Sequence, residues 1–189
     1  MAKRGTLILF AAVAGVMLVI ALAGRATRSV NDDFSFDAAN LKDTSVWTKV
    51  NDEPYHMNPA VAILCGIPTR QELESKRKKN PHAESYITVY VNNAGKEAMF
   101  AKQAQTFPVG SVIVKRKIAN SIESSDPLLY TLMRKREAGY NPSLGDWEFA
   151  VVAANGKEIQ GIGKLENCQS CHRQKRDSDF VFRPYLKSN

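Results

Sequence analysis

The chain has 189 residues, 44% of them hydrophobic and 24% charged, which suits one globular domain preceded by a short segment of another purpose. Lys3 and Arg4 carry two units of its +7 formal charge, and the +5 that remains favours an acidic partner surface. It does not indicate nucleic acid, since aromatic-basic interleaving, RNP-like motifs and zinc-finger spacing are all missing. Three cysteines, two of them close together near the C-terminus, make no disulfide framework.

Met1-Ala2-Lys3-Arg4 is a short basic region, Leu7 to Ile20 carries no charge, and Ala21-Leu22-Ala23 has the small-x-small spacing of a cleavage site. Residues 1–24 are therefore expected to be a signal peptide or an uncleaved N-terminal anchor, because about 18 apolar residues can just span a bilayer. Arg25 and Arg28 weigh weakly against the anchor. Both readings place the body of the chain in the periplasm, touching a membrane only through this segment. Residues 25–36 are polar and aperiodic, a linker to a domain spanning 37–189.

Within that domain a loose apolar face predicts a helix from Asp37 to Val50, and Met57 to Cys65 is an apolar run stopped by Gly66 and Pro68. Cys65 reads as a small buried hydrophobe, with a reactive thiol as the alternative. Gln71 to Lys79 is a charged, solvated stretch. Tyr86 to Val91 is the first clear strand, closed by a turn at 92–95, and Lys96 to Gln103 looks helical. A second strand, Ser111 to Ile118, places Ile113, Lys115 and Lys117 on one face and Val112, Val114 and Arg116 on the other. A lysine in such a place is ordinarily a solvated edge residue. Further strands are expected at Leu128 to Arg136 and Trp147 to Ala153. Asn155-Gly156 then signals a type I′ hairpin to a short return strand around Glu158 to Ile162. Short helices followed by hairpin-linked strands predict an α+β fold with a mainly antiparallel sheet.

Behind that sheet stands Cys168-Gln169-Ser170-Cys171-His172. Two cysteines three apart with a histidine directly after form the c-type haem attachment pattern. Each thiol can form a thioether to a haem vinyl group, and the histidine takes one axial position on the iron. A zinc site would need a second pair of ligands, but the third cysteine is more than a hundred residues away. A thioredoxin-like CxxC belongs at the front of a βαβ unit. Export and CxxCH together fit one covalent haem c. His56 and His82 read as surface residues and Met57 and Met99 as packing, although one of them on the iron would make a plain electron carrier.

Four stretches give the chain a wider resemblance: Tyr86 to Asn92 (YITVYVN), Phe107 to Lys115 (FPVGSVIVK), Gly145 to Phe149 (GDWEF) and Cys168 to Tyr185 (CQSCHRQKRDSDFVFRPY). In this order the chain resembles the cytochrome P-460 family over roughly residues 45–186. The resemblance implies a mostly β domain with flanking helices, usually dimeric, carrying one c-type haem with His172 as proximal ligand and an open distal face. Some members oxidise hydroxylamine and pass electrons to a soluble cytochrome, while the related β-type cytochromes c′ bind gases such as nitric oxide. In the P-460 enzymes a lysine bonds to the haem macrocycle. The FPVGSVIVK match puts it at Lys115, with Lys117 on the same face as an alternative.

Two readings of function follow, and a third stands behind them. One is a haem enzyme oxidising hydroxylamine or a related small nitrogen compound. Another is a gas-binding protein without turnover, and the third is a periplasmic electron carrier. The distal acid-base carboxylate is not placed by the resemblance, and Glu137, Asp146, Asp177 and Asp179 all read as surface charges. The basic clusters Arg134-Lys135-Arg136 and Arg173 to Arg176 are candidates for docking a soluble, acidic redox partner.

Overall fold

The computed structural model describes residues 34–56, 86–118 and 126–186. Within them the β-branched and aromatic runs build seven strands of one antiparallel sheet. These are β1 (Trp47–Lys49), β2 (Tyr55–His56), β3 (Tyr86–Asn92), β4 (Val112–Ile118), β5 (Pro127–Lys135), β6 (Trp147–Ala153) and β7 (Ile159–Gly163). The order across the sheet is β1-β3-β4-β5-β6-β7, and β2 pairs with β3 alongside β1. From β3 onward each strand lies beside its successor in sequence, so the expected α+β, mainly antiparallel architecture is what forms. The N-terminal segment, Met57 to Cys65, Gln71 to Lys79 and His82 lie outside the described residues.

The edge of β3 is shared by two short strands, and Asn51 fills the gap between them. Its side-chain amide donates to Ile87 O at 2.9 Å and accepts from Val89 N at 2.7 Å, continuing the ladder where no strand pairs. The helix expected from Asp37 to Val50 is only a 3₁₀ turn, Ala38–Lys42, capped by Asp37. Asp43 ends it by turning its carboxylate onto Ser45 N and Oγ, after which Trp47, Thr48 and Lys49 join the sheet against Asn92, Val91 and Tyr90. The domain also begins before Asp37. Phe36 meets Tyr130 at 5.8 Å between ring centroids, and the Arg134 guanidinium sits 4.7 Å from the Phe34 ring centroid, so the last residues assigned to the linker are packed.

The turn expected at 92–95 is instead a helix start. Asn92 Oδ1 caps α1 (Asn93–Phe100) by accepting from Gly95 N, and also accepts from Val112 N, tying helix to sheet. Gly95 permits the approach, because a Cβ there would stand 2.9 Å from the Val91 side chain. At the other end Arg183 reaches Ala98, Met99 and Ala101 carbonyls at 3.1 to 3.3 Å. The β6–β7 connection is wider than a two-residue type I′ turn. Among its residues only Gly156 has positive φ, and Asn155 accepts from both Lys157 N and Glu158 N.

Side chains alternate across the sheet, so it has two apolar faces. Odd-numbered residues, among them Ile87, Val89, Val91, Ile113, Met133 and Phe149, form one core with Phe107, Phe180, Val181 and Tyr185. Even-numbered residues, including Val114, Tyr130, Leu132, Ala150 and Val152, form the other with Leu41. The odd face is covered by the C-terminal segment: α2 (Glu166–His172), a 3₁₀ turn at Arg173–Ser178, and the residues after it. Among the described residues no helix is long and apolar enough to cross a membrane.

Candidate functional site

CxxCH lies on α2, where spacings of three and four return to the same side of a helix. Cys168, Cys171 and His172 therefore share one stripe. The imidazole of His172, the last residue of α2, is held on three sides. Its Nδ1 lies 2.6 Å from the carbonyl oxygen of Phe180, and its ring packs against Phe149 of β6 and edge-on against Phe182, each at 5.2 Å between centroids. A carbonyl can only accept, so Nδ1 carries the proton and Nε2 keeps its lone pair for a metal. Removal from water pushes the imidazole pKa down to about 3, the Lys115 and Lys117 charges lower it too, and only the Phe180 bond opposes them. The ring is neutral, as a ligand must be.

Phe180 takes φ 62° and Asp179 φ 49°, left-handed backbone that costs a non-glycine residue on the order of 1 kcal/mol or more. Asp179 keeps the chain there. Its carboxylate accepts from Lys135 Nζ at 2.7 and 2.8 Å and from Phe107 N at 2.8 Å, while its backbone oxygen accepts from Trp147 Nε1 at 2.7 Å. The expectation that Asp179 is a surface charge is thus corrected: it pins the covering segment to the sheet. Gly145 makes room, since a Cβ at its φ of 59° would stand 2.8 Å from the Asp179 carboxylate and 2.9 Å from the Phe180 ring.

Lys115 and Lys117 rise from β4, an interior strand, on the odd face. Lys115 stands in register between Val89 and Thr131, and Lys117 between Ile87 and Leu129. Neither is a solvated edge residue. Lys117 is fully buried, and the partly buried Lys115 places Nζ 5.7 Å from the centroid of Phe182, the ring that also meets His172. Desolvation lowers the Lys115 pKa to about 8, against the pull of Cys168 and Cys171. It lowers that of Lys117 to about 7, helped by the charge of Lys115. Burial raises the Cys168 thiol pKa, and Lys117 and Lys115 draw it back down. The fold brings Lys115, Lys117, Cys168, Cys171 and His172 together, although more than fifty positions in sequence separate either lysine from Cys168.

The other candidates fall elsewhere. Asp146 accepts from Gly139 N and Asn141 N, and Glu137 and Asp177 are exposed. Met99 is core packing, and His56 is an exposed edge residue whose ring is tilted against Tyr86, 5.1 Å between centroids. The Arg134-Lys135-Arg136 run is engaged in ion pairs within the molecule. Arg134 and Arg136 bind Glu148 at 2.6 and 3.0 Å, and Lys135 binds Asp179. Phe149, Phe182 and the Phe180 carbonyl went unpredicted; the strand period from Trp147 could have placed Phe149 on the odd face, but nothing local signals the other two. Cys65, His82 and Met57 lie outside the described residues.

Two thiols one helical turn apart, a neutral imidazole with a free Nε2 and an apolar sheet face are the donor set and the surroundings that suit a c-type haem. Together they fit the class of β-sheet haem proteins. The chain belongs to the cytochrome P460 family, whose model matches residues 69–183, and it is on that ground a c-type haem cytochrome. No curated protein matches it.

Proposed function

We propose that this is an exported, mono-haem cytochrome of the P-460 type that oxidises hydroxylamine or a related small nitrogen compound. In this reading Cys168 and Cys171 attach one haem covalently, His172 holds the iron through Nε2, and Lys115 is the lysine bonded to the macrocycle. The observation that carries it is the position of Lys115, turned from an interior strand toward the CxxCH helix and sharing the Phe182 ring with His172. When bound, the haem would supply an iron centre able to take electrons from a nitrogen compound. The Phe180 carbonyl fixes the tautomer and plane of His172, Phe149 and Phe182 restrain its ring, and the sheet keeps water from that side. With its pKa lowered to about 8, Lys115 holds more neutral amine near neutral pH than a solvated lysine does, about a tenth of it at pH 7.

A second reading, gas binding without turnover as in the β-type cytochromes c′, is supported by one observation. Hydroxylamine oxidation releases protons, yet none of Glu137, Asp146, Asp177 and Asp179 hydrogen-bonds to His172 or Lys115. Absorption spectra of the ferrous protein, wild type and Lys115→Ala, with and without hydroxylamine and nitric oxide, separate the two. The enzyme reading expects a red-shifted band that the substitution abolishes, and reduction of the ferric protein by hydroxylamine. An ordinary c-type spectrum indifferent to hydroxylamine but responsive to nitric oxide establishes the gas-binding protein instead.

A further inference from the structure

Two basic clusters stand out in the sequence, and the fold treats them differently. The first is engaged with Glu148 and Asp179. The second, on the 3₁₀ turn that follows His172, keeps Arg173, Lys175 and Arg176 exposed. Arg173 approaches Glu166 at 3.7 Å, both side chains well exposed, and among the described residues no carboxylate pairs with Lys175 or Arg176. The Phe182 ring joins this surface to the site: the Lys175 ammonium lies 5.3 Å from its centroid, and its edge meets the His172 ring 5.2 Å away. One aromatic side chain thus spans from a surface cation to the imidazole proposed as iron ligand.

We infer that the turn Arg173–Ser178 is where a soluble redox protein with an acidic face docks, with Phe182 linking the docked surface to His172. This rests on the haem placement proposed above but not on hydroxylamine as substrate. The chemistry is a one-electron transfer: ferrous haem returns to ferric, the partner's oxidised centre is reduced, and no bond or proton changes hands. Opposite charge raises the encounter rate and orients the partner, an advantage that salt removes beyond about 10 Å at 0.1 M.

The test uses the full haem-loaded chain, reduced chemically rather than by hydroxylamine, and mixed in stopped flow with an oxidised acidic c-type cytochrome across a range of ionic strength. The double variant Lys175→Glu, Arg176→Glu is expected to slow transfer at low salt by about tenfold and to flatten the salt dependence. It should also accelerate transfer to a basic c-type cytochrome, a gain that a misfolded protein cannot show. Lys102→Glu, an exposed change of charge beyond α1, should leave both rates near wild type. Equal salt dependence in wild type and double variant, or an effect of Lys102→Glu as large as half that of the double variant, overturns the docking surface. Because reduction is chemical, such a failure leaves the hydroxylamine reading to be judged by its own spectra.

Discussion

Tyr185 carries a buried hydroxyl that has no hydrogen-bond partner among the described residues, and burial raises its pKa far above the usual phenol. An unmade bond in the interior contributes only its desolvation cost, so Tyr185→Phe should leave stability unchanged or raise it by about 1 kcal/mol in urea denaturation. A loss of more than about 1 kcal/mol would mean that the hydroxyl is bonded. Lys115 and Lys117 show how far single residues can be read from sequence. Period-two alternation puts both on one face, but it cannot tell solvent from interior, because what covers β4 is a helix far along the chain. Asp179 was opaque for the same reason. Its cation is Lys135, 44 residues earlier, and no local pattern signals a pair at that separation.

Among the elements, the segment around α2 is secured chiefly by the Asp179–Lys135 pair, whose side chains are 9% and 8% exposed. Asp179→Asn tolerates the left-handed backbone but leaves a buried ammonium without its counter-charge, a loss of about 3 kcal/mol in denaturant unfolding. Adding Lys135→Met should recover part of that loss, since the second change removes the stranded charge. A single variant as stable as wild type would show that the pair contributes nothing. The long strands were legible because seven to nine residues display their alternation: Tyr86–Asn92, Val112–Ile118, Pro127–Lys135 and Trp147–Ala153 all lie close to where periodicity put them. The strands at Trp47–Lys49 and Tyr55–His56, three and two residues long, have no period to show. They exist because β3 has an edge to pair and Asn51 bridges their gap.

At the scale of the whole molecule, the chain order of the parts has a kinetic meaning. Strands β3 to β7 pair with their neighbours in sequence, so their loops close at small entropic cost. The covering segment is held by long-range bonds, from Asp179 back to Lys135 and Phe107 and from Arg183 back to the end of α1, separations of 44 to 85 residues. The sheet should therefore form first and the C-terminal segment close over it last. In pulse-labelled hydrogen exchange, amides of β4 to β6 are expected to gain protection before those of α2, and simultaneous protection would refute this order. Closure is also the step that draws Cys168 toward the sheet and brings the Phe180 carbonyl to His172. Once it is complete, Cys168 and Cys171 are only partly exposed. The pin at Asp179 thus sets a time window in which both thiols are freely reachable, and the window narrows as the segment shuts.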